Sequence, residues 1–508
     1  MSIKTTIINP PQIFTKSQIA AGVTPPLGVV YLASYLIKHG YPVQVIDALG
    51  ENPEQTVSFR KGSYLRGLTF KEIVDRIDSD SRLVGISNLF TFAYPAVEEL
   101  CQEIHRQYPE KKIILGGPHP SALYEEILLN HPEVSYIIRG VEGEYNLLRL
   151  VMCLDGRLEP ENLTGVALRN EKGKVITVKA VGRIENLEKE NIPFPARDLL
   201  PMENYIKAQE GHGPSSGRWT TILTTRGCPY GCTFCESRQT KWVARTAEDV
   251  VDEMEECIEK WGITEFHFED DNMTFEKNRT IAICDEIVKR KINVKWQTPN
   301  GIRASRIDEE VLVKMKESGC VHITIAPESG SSRVLEDIIK KGGDFDLDRL
   351  KECGSFAHKI GLKVAAYFVL GLPGETKEDM ELTISYAKEL AKVGIDEVAF
   401  GLFIPLPGTP LWDEVKEKRE GMDFLDLLSV GDMTKSLSWS DYITDEELQT
   451  YRRKAYMVFY VTRMVYHPFV FLNSFANTLR NVESTKTERT LRQYLKRFNI
   501  KAKKYINN

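Results

Sequence analysis

Short apolar runs alternate with longer amphipathic segments along most of this 508-residue chain, and this alternation limits the possible folds more than any other feature. In the first third of the chain, each run rich in β-branched residues is followed by apolar residues at helical spacing. Repeated pairs of this kind predict a parallel sheet wound on both faces by helices, an α/β doubly wound (flavodoxin-like) domain. The five predicted strands are 5–11, 42–48, 83–89, 111–117 and 134–140.

A second alternating block follows, with six predicted strands separated by helical segments. Six strand–helix repeats predict a partial (βα)6 barrel, whose active site is expected at the carboxyl ends of the strands. We therefore expect a sheet domain over 1–160, a connector over 161–215, a barrel over 216–415 and a mainly helical segment over 416–508. The six predicted strands are 221–225, 265–271, 294–300, 322–328, 363–371 and 397–403.

Composition narrows the function classes further. Lys and Arg total 66 against 72 Asp and Glu, a net charge of −6 that gives no reason to expect nucleic acid as a partner. The first residues lack a basic region followed by a long apolar stretch, so we expect a cytoplasmic protein without a secretory signal. The most apolar stretch, 455–472, is interrupted by Arg463, His467 and Pro468, so no membrane span is expected.

Three of the nine cysteines, Cys228, Cys232 and Cys235, are clustered directly after the first barrel strand. In a cytosolic chain such a cluster points to metal binding or catalysis rather than to a disulfide. Three thiolates can hold three irons of a 4Fe–4S cluster and leave the fourth iron open. Structural zinc is the alternative, but it needs a fourth ligand, and no second CxxC or HxxxH is visible.

The spacing CxxxCxxC after the first strand of such a barrel resembles the radical S-adenosylmethionine (SAM) superfamily. The N-terminal block, with GGPHPSALYEEIL and RGVEGE, is similar to the cobalamin-binding subfamily, and the resemblance covers about residues 1–415. It implies that the three cysteines ligate the cluster and that the SAM methionine chelates the open iron. It also implies that Phe234 lies near the adenine.

Further SAM contacts are implied at the ends of later strands. FEDDN stands where many family members have Gly-Gly-Glu, so either Asp270 or Asp271 would accept from the SAM ammonium. Glu328, in APESGS, would accept from the ribose hydroxyls, and Gly371 and Gly374, in GLPGE, would allow close approach of the adenosine. The alternatives are structural: the carboxylates cap turns or helices, and the glycines only form a turn.

The resemblance implies that the first domain binds cobalamin, although the alternative of a domain that has lost cobalamin stays open. The Asp-x-His-x-x-Gly motif that supplies an axial histidine is absent from this sequence, so no protein histidine is expected on cobalt. His119 is expected to contact phosphate or amide groups. The candidate cobalamin-binding residues lie in loops after the strands: Asn9, Pro10, Ser87, Asn88, Gly116, Gly117, His119, Gly140, Glu142, Gly143 and Glu144.

The resemblance implies a cobalamin-dependent radical SAM C-methyltransferase that attacks an unactivated carbon. A 5′-deoxyadenosyl radical would abstract hydrogen, and methylcobalamin would then deliver the methyl group. Two alternatives remain: a radical SAM enzyme that forms or contracts rings or inserts oxygen, like anaerobic porphyrin cyclases, and a non-enzymatic cobalamin or redox sensor. The implied partners are a small-molecule or peptide substrate and an electron donor such as flavodoxin or ferredoxin. No catalytic side chain is assigned.

The last hundred residues supply two further expectations. The aromatic segment near 455–472 is expected to form a wall of the substrate site. The basic tail from Arg480 to Lys504 is expected to be a solvated helix face, or alternatively to grip an acidic or phosphorylated substrate.

Overall fold

The computed structural model of the protein describes residues 2–15, 22–179, 186–188, 191–419, 421–431, 434–479 and 483–489. These residues form two compact units. Unit one takes the described residues up to 15, together with 25–208 and 405–428. Unit two takes 22–24, 209–404 and the described residues from 429 onward. Most of the basic tail lies outside the described residues.

The described strands are numbered in chain order. They are β1 (Thr5–Asn9), β2 (Gln12–Thr15), β3 (Val43–Asp47), β4 (Thr56–Ser58), β5 (Ser63–Arg66), β6 (Leu83–Ser87), β7 (Lys112–Gly116), β8 (Val134–Ile138), β9 (Val166–Arg169), β10 (Val175–Val178), β11 (Trp219–Ile222), β12 (Thr225–Arg226), β13 (Val243–Ala244), β14 (Glu265–Phe268), β15 (Lys295–Ile302), β16 (Cys320–Glu328), β17 (Lys363–Leu370) and β18 (Glu397–Leu402).

The described α-helices are α1 (Leu27–Lys38), α2 (Ala48–Glu51), α3 (Phe70–Arg76), α4 (Tyr94–Gln107), α5 (Pro118–Ala122), α6 (Tyr124–Asn130), α7 (Gly143–Leu154), α8 (Met202–Ala208), α9 (Ala247–Trp261), α10 (Lys277–Lys289), α11 (Glu309–Glu317), α12 (Leu347–Lys359), α13 (Lys377–Lys392), α14 (Pro410–Val415), α15 (Asp445–Tyr466) and α16 (Pro468–Leu479). Within this described part of the chain, no helix combines the length and apolarity needed to cross a membrane.

The main sheet of unit one confirms the predicted doubly wound fold. Its strand order is β10-β9-β8-β7-β6-β1-β3, and the five predicted strands β1, β3, β6, β7 and β8 pair in parallel. Relative to the chain, these five follow the order second, first, third, fourth, fifth, which is the flavodoxin-like arrangement. Helices cover both faces, so Ile8, Ile86 and Leu115 are fully buried and the strands read as continuous apolar runs.

Two parts of unit one were not predicted from the sequence. The hairpin β9–β10 extends the sheet antiparallel from β8, inside the segment expected to be a connector. A separate antiparallel sheet has the order β2-β5-β4. These strands are three or four residues long, too short for an alternating pattern to stand out among charged neighbours.

Local capping explains where several helices begin. Thr69, Thr376 and Thr444 each accept from a backbone N–H three residues later, and the carboxylate of the acidic residue at that position accepts from the threonine N–H. These reciprocal capping boxes satisfy N–H groups that a helix start otherwise leaves unpaired. After α1, Gly40 adopts a left-handed φ of 79°, a conformation that commonly follows a helix end.

The sheet of unit two confirms the predicted partial barrel and its helical C-terminal segment. Six parallel strands stand in chain order, β11-β14-β15-β16-β17-β18, with helices between successive strands. Along β14 the faces alternate. Phe268 packs on one face with its ring centre 5.0 Å from that of Trp296, while Glu265 and His267 lie on the opposite face.

The inner face of this sheet is polar, although its side chains are almost entirely buried. Gln297 Nε2 donates to Glu265 Oε1 at 2.9 Å and lies 2.8 Å from His267 Nε2. Further along the same inner face, His322 Nε2 on β16 lies 3.0 Å from Glu397 Oε1 on β18. Buried polar groups are expensive unless they are paired, so this face must be covered by matching partners.

Residues 483–489 supply several of those partners. Thr487 N donates to Glu397 Oε2 at 3.0 Å. The Arg489 guanidinium donates to the Gly211 carbonyl at 2.7 Å, and also to the Gly213 carbonyl and the Glu483 carboxylate. Arg489 and Glu483 are each 5% exposed. The segment is therefore part of the interior of unit two.

We predict that Arg489→Met lowers the free energy of unfolding by about 3–5 kcal/mol, because it leaves the Glu483 carboxylate buried beside two unpaired carbonyls. The matched control is Arg453→Met at an exposed position, where a change below about 0.5 kcal/mol is expected. Urea unfolding followed by circular dichroism measures both. Equal midpoints for the two variants would contradict the assignment.

Candidate functional site

The three clustered cysteines lie in the loop that follows β12, at the carboxyl end of the first barrel strand. Cys228, Cys232 and Cys235 are all half-buried, and all are free thiols. The loop begins at Gly227, whose φ is 81°, and a Cβ atom at this position would lie only 2.3 Å from the Lys241 carbonyl oxygen. A glycine is therefore required where the motif starts.

Backbone hydrogen bonds hold this loop in one conformation. Cys228 N donates to Thr240 Oγ1 at 2.9 Å, and Thr240 N donates to the Cys228 carbonyl at 3.0 Å. Between the cysteines, Thr233 N and Oγ1 donate to the carbonyls of Ile339 and Ile338 at 2.9 and 2.6 Å. The thiols thus stand on a fixed scaffold.

The donor set fits an iron–sulfur cluster. Burial raises the pKa of the Cys232 thiol and raises that of Cys235 to about 12, so without a cation these thiols stay protonated. Iron in place of those protons would stabilise the thiolates. Among the described residues, no three His, Cys, Asp or Glu side chains are grouped for a single metal ion. The three thiols are therefore candidate ligands for a cluster.

The two aspartates after β14 occupy different environments. Asp270 is 2% exposed, and its Oδ1 accepts from the backbone and hydroxyl of both Thr224 and Thr225. It therefore ties β14 to the strand before the cysteine loop. Asp271 is exposed and receives hydrogen bonds from Ser237 and from the backbone of Gly227. Its carboxylate lies beside the cysteine loop and is open to a ligand.

Glu328 ends β16 in a left-handed conformation with φ of 64°, which is strained for a residue with a side chain. Its Oε1 accepts from the Lys341 ammonium at 2.7 Å, and Lys341 also donates to the Ala326 carbonyl. Glu328 caps no helix, so the alternative that its carboxylate is a helix cap does not explain its position. Lys341 was not found from the sequence, because no motif marks it.

The GLPGE segment after β17 forms a tight turn. Gly371 and Gly374 have φ of 80° and 71°, and Gly371 N and Leu372 N donate to Glu375 Oε2 at 2.7 and 3.1 Å. Burial raises the pKa of Glu375 to about 8. The hydrogen bonds to Glu375 therefore explain the conformation of this turn without any ligand.

Arginine stacking around the cysteine loop was also not predicted. The Arg303 guanidinium lies 3.6 Å from the ring centre of Tyr230, which stands between Cys228 and Cys232. Arg303 also donates to the Lys341 carbonyl at 2.7 Å. Phe234, the predicted adenine neighbour, is half-buried in the same loop. Arg303 therefore links the cysteine loop to the segment that follows Glu328.

In unit one, the parallel register brings predicted residues to one edge of the sheet. Ser87 pairs with Gly116, and both end their strands. Gly117, with φ of 113°, approaches the Asn88 carbonyl so closely that a Cβ atom would lie 2.3 Å from it. The buried Asn88 Oδ1 has no hydrogen-bond partner among the described residues. This edge therefore combines close backbone packing with an unpaired acceptor.

Two exposed apolar groups flank this edge and were missed by the sequence analysis. Leu89 and Phe90, directly after Asn88, are 57% and 54% exposed, and Val141, after β8, is 62% exposed. Phe90 stacks on Phe92 with ring centres 5.2 Å apart. The residue types SNLFTF were visible in the sequence, but only the fold shows that they point outward. The amide-rimmed, apolar macrocycle of cobalamin fits such a surface.

The remaining loop residues of unit one have mixed roles. Asn9 Nδ2 donates to Asp47 Oδ1 at 2.7 Å, and Tyr205 Oη donates to Asp47 Oδ2 at 2.6 Å, so Asn9 is held by an internal network. Pro10 follows at the strand end and is half-buried. Gly140 has φ of 86° and is exposed, while Glu142, Gly143 and Glu144 form the start of α7.

His119 lies inside unit one and not on its edge. Its side chain is fully buried, with ring centres 4.5 Å from Tyr94 and 5.0 Å from Phe424. Neither ring nitrogen has a hydrogen-bond partner within the described ranges. The ring therefore presents no nitrogen to a ligand at the sheet edge.

Unit two has a second set of polar groups on its inner face. His212 Nδ1 lies 3.0 Å from Glu269 Oε2, and the other carboxylate oxygen, Oε1, is buried without a described partner. The Lys486 ammonium donates to Tyr367 Oη. The alternation E-F-H-F-E over 265–269 was a sequence signal for a polar strand face that could have predicted Glu269.

Comparison with known proteins identifies the family. The radical SAM superfamily profile matches residues 222–387, and the B12 binding domain profile matches residues 19–150. An uncharacterized methyltransferase of Pyrococcus horikoshii is 29% identical over 504 residues, 94% of this chain and 98% of the relative. Cytidylyl-2-hydroxyethylphosphonate methyltransferase of Streptomyces wedmorensis is 30% identical over 423 residues, 77% of this chain and 78% of the relative.

A solved structure shows the same fold. The radical S-adenosylmethionine methyltransferase TsrM from Kitasatospora setae, with cobalamin and a 4Fe–4S cluster bound, matches with a TM-score of 0.63 at 19% identity. The match covers 82% of this chain and 78% of TsrM. Relatives named as anaerobic magnesium-protoporphyrin IX monomethyl ester cyclases match at 27% identity or less.

The chain belongs to the radical SAM superfamily, and within it to the group that carries a B12-binding domain. The cofactors of that group are a 4Fe–4S cluster, SAM and cobalamin. Both predicted cofactor domains are confirmed.

We predict that the buried state of His119 makes unit one sensitive to acid. Burial lowers its pKa from the ordinary 6.5 to about 3, so below about pH 6.5 only the unfolded chain binds the proton. Stability present above that pH is lost as the pH falls, by about 1.4 kcal/mol between about pH 7.5 and about pH 5.5. His119→Phe should remove this loss, as measured by urea unfolding at the two pH values. The control His105→Phe, at an exposed histidine, should keep it; a parent-like slope in His119→Phe would refute the prediction.

Proposed function

We propose that the protein is a cobalamin-dependent radical SAM C-methyltransferase that acts on an unactivated carbon of a small-molecule or peptide substrate. The observation that carries this is the rigid three-cysteine loop at a barrel strand end, in a chain that also has a B12-binding sheet. Two relatives named as methyltransferases match at 29% and 30% identity, over 94% and 77% of this chain. We further propose that the protein works in a reducing cytoplasm, receives electrons from a flavodoxin- or ferredoxin-like donor and has no nucleic-acid partner.

The cysteine loop would hold the cluster through Cys228, Cys232 and Cys235. When bound, the cluster and SAM supply one-electron bond cleavage, and cobalamin supplies a transferable methyl group. The chain's own contribution is to hold these groups and exclude water and oxygen. The hydrogen bonds from Thr233 to residues 338–339 and the stacking of Arg303 on Tyr230 would fix the thiolate positions.

Asp271 is the better candidate of the two aspartates for the SAM ammonium. Asp271 is an exposed residue beside the cysteine loop, and its carboxylate accepts from Ser237 and Gly227. Asp270 is 2% exposed, with Oδ1 occupied by Thr224 and Thr225 and Oδ2 buried without a described partner. An ammonium that leaves water needs a charged acceptor of this kind. Glu328, held in its strained conformation by Lys341, would present its carboxylate to the ribose hydroxyls.

The sheet edge of unit one would hold cobalamin without an axial histidine. Leu89, Phe90 and Val141 offer exposed apolar surface, and Gly117 lets the loop after β7 pack closely on the Asn88 carbonyl beneath them. Glu142, Gly143 and Glu144 would add contacts from the start of α7. His119 would act through core packing and not through a ligand contact, because its ring is buried.

The polar inner face of unit two favours a substrate that forms hydrogen bonds. The unpaired Glu269 Oε1 can accept from a donor group, and His212, whose side chain is 41% exposed, offers a ring nitrogen. We propose that the substrate carries hydroxyl or amino groups near the carbon that is methylated.

We predict that anaerobically purified, reconstituted protein converts SAM to S-adenosylhomocysteine and 5′-deoxyadenosine together, since methylation by this chemistry consumes SAM in both roles. Cys232→Ala should lose at least about half of the cluster iron and all SAM cleavage, because a cluster needs each thiolate. The control Cys153→Ala, a half-buried thiol outside the loop, should keep both. Iron and cobalt counts with chromatography of SAM products measure this. Full activity in Cys232→Ala, or in cobalt-free protein, would refute the proposal.

The same experiment separates the second candidate function. Because relatives named as anaerobic cyclases also match, ring formation is the alternative outcome. It would give 5′-deoxyadenosine without S-adenosylhomocysteine. The absence of any SAM cleavage would refute an enzymatic role.

We predict opposite behaviour for the two neighbouring aspartates. Asp271→Asn should weaken SAM binding by about ten- to one-hundred-fold, because an ammonium loses its charged acceptor, and should lower stability less than Asp270→Asn does. Asp270→Asn should lower the free energy of unfolding by about 1–3 kcal/mol, because it disturbs the hydrogen bonds from Thr224 and Thr225. Calorimetric titration of SAM into the cluster-loaded protein and urea unfolding measure the two effects. Parent-like SAM affinity in Asp271→Asn would contradict the assignment.

A further inference from the structure

An asparagine side chain lies against the first cysteine of the loop. Asn272 follows the two aspartates after β14, and its Nδ2 donates to Cys228 Sγ at 3.7 Å. Asn272 is only 3% exposed, so little water competes with the amide for this sulfur. The residue was visible in the sequence as the last letter of FEDDN, but its contact with a cysteine on another loop was not.

The loop after β14 holds this amide in place. The indole Nε1 of Trp242 donates to the Asn272 backbone carbonyl at 3.1 Å. One residue earlier, the Asp271 carboxylate accepts from the backbone of Gly227, which directly precedes Cys228. The backbone on both sides of the Asn272 side chain is therefore fastened, and the amide is aimed at the sulfur from a fixed position.

The pairing of the amide singles out the sulfur as its purpose. The other end of the side chain, Oδ1, is buried and has no hydrogen-bond partner among the described residues. Burying an amide oxygen without a partner is unfavourable, because its hydrogen bonds to water are lost. A leucine of similar size would fill the same space without this cost. What the amide supplies, and leucine cannot, is the hydrogen bond to Cys228.

The backbone groups of Cys228 are engaged elsewhere. Its N–H donates to Thr240 Oγ1 at 2.9 Å, and its carbonyl accepts from Thr240 N at 3.0 Å. At the third cysteine, a backbone group forms the hydrogen bond, from Ser237 to the Cys235 thiol. The bond to the Cys228 sulfur comes from a side chain, so a substitution can remove it while the backbone contacts of the loop remain.

We propose that Asn272 is a positioning residue that raises the reduction potential of the cluster by donating a hydrogen bond to the Cys228 sulfur. This rests on the cluster assignment proposed above. A thiolate bound to iron has no proton and can only accept, so the amide presents its N–H. One electron from the donor adds negative charge to the cluster and its sulfur ligands, and a hydrogen bond to a more negative acceptor is stronger. Hydrogen bonds to the sulfurs are among the factors that set such potentials.

A redox titration of the anaerobically reconstituted full chain tests the proposal, with the reduced cluster followed by electron paramagnetic resonance. Asn272→Leu should lower the equilibrium constant for one-electron reduction at least about three-fold, which is about 30 mV. The matched control Asn278→Leu, at an exposed asparagine of α10, should keep the parent potential. A parent-like potential in iron-loaded Asn272→Leu would overturn the proposal.

A measurement on the parent protein covers the case in which Asn272→Leu does not retain iron. Parent protein with ¹⁵N in its asparagine side-chain amides should show a ¹⁵N coupling in pulsed electron paramagnetic resonance spectra of the reduced cluster, because the hydrogen bond links the amide to an iron ligand. Asn278→Leu should keep this coupling. Its absence from the parent would overturn the proposal whatever the variant does.

Failure of this proposal and failure of the proposed function give different results. Full iron content and activity in Cys232→Ala would remove the cluster from the cysteine loop, and with it the role of Asn272. An iron-loaded parent that cleaves SAM, together with a parent-like potential in Asn272→Leu, would refute only the role of Asn272 and leave the proposed function intact.

Discussion

Parallel strand pairing is the interaction on which both candidate sites depend. Because parallel pairs bring the carboxyl ends of strands to one edge, Asn88 after β6 and Gly117 after β7 meet although their strands are far apart in sequence. In unit two the same rule sets the cysteine loop beside Asp271, which follows β14. The ligand-facing groups need no attraction for one another, since backbone pairing has already placed them.

Most of the strands in these two sheets were predictable because helices cover the sheets. A strand face that is buried under helices contains β-branched and aromatic residues at fixed spacing, and this spacing is recognisable in the sequence. The small sheet β2-β5-β4 and the hairpin β9–β10 leave no such pattern, because three- or four-residue strands at a surface accept almost any residue. Element length and burial therefore decided which strands could be foreseen.

The site residues divide along a similar line. The cysteine spacing was informative because the chemistry of the cluster fixes it, and no fold needs three thiols in one loop for packing. The choice between Asp270 and Asp271 could not be made from the sequence. Neighbouring residues at a strand end point in different directions, and which direction each takes depends on where β14 stops. His119 shows a further limit of prediction from sequence. Its ring packs against Phe424, which is distant in sequence, so the GGPHP motif did not indicate that the His119 side chain is buried.

The Arg489 guanidinium binds the Gly211 carbonyl across a separation of 278 residues. Closing so long a loop is entropically unfavourable, and contacts of this kind form late in folding. During synthesis the buried Glu397 carboxylate at the start of β18 lacks its hydrogen bonds from Thr487 until residues 483–489 have emerged from the ribosome. The polar interior of unit two is therefore completed only after residues 483–489 have been translated.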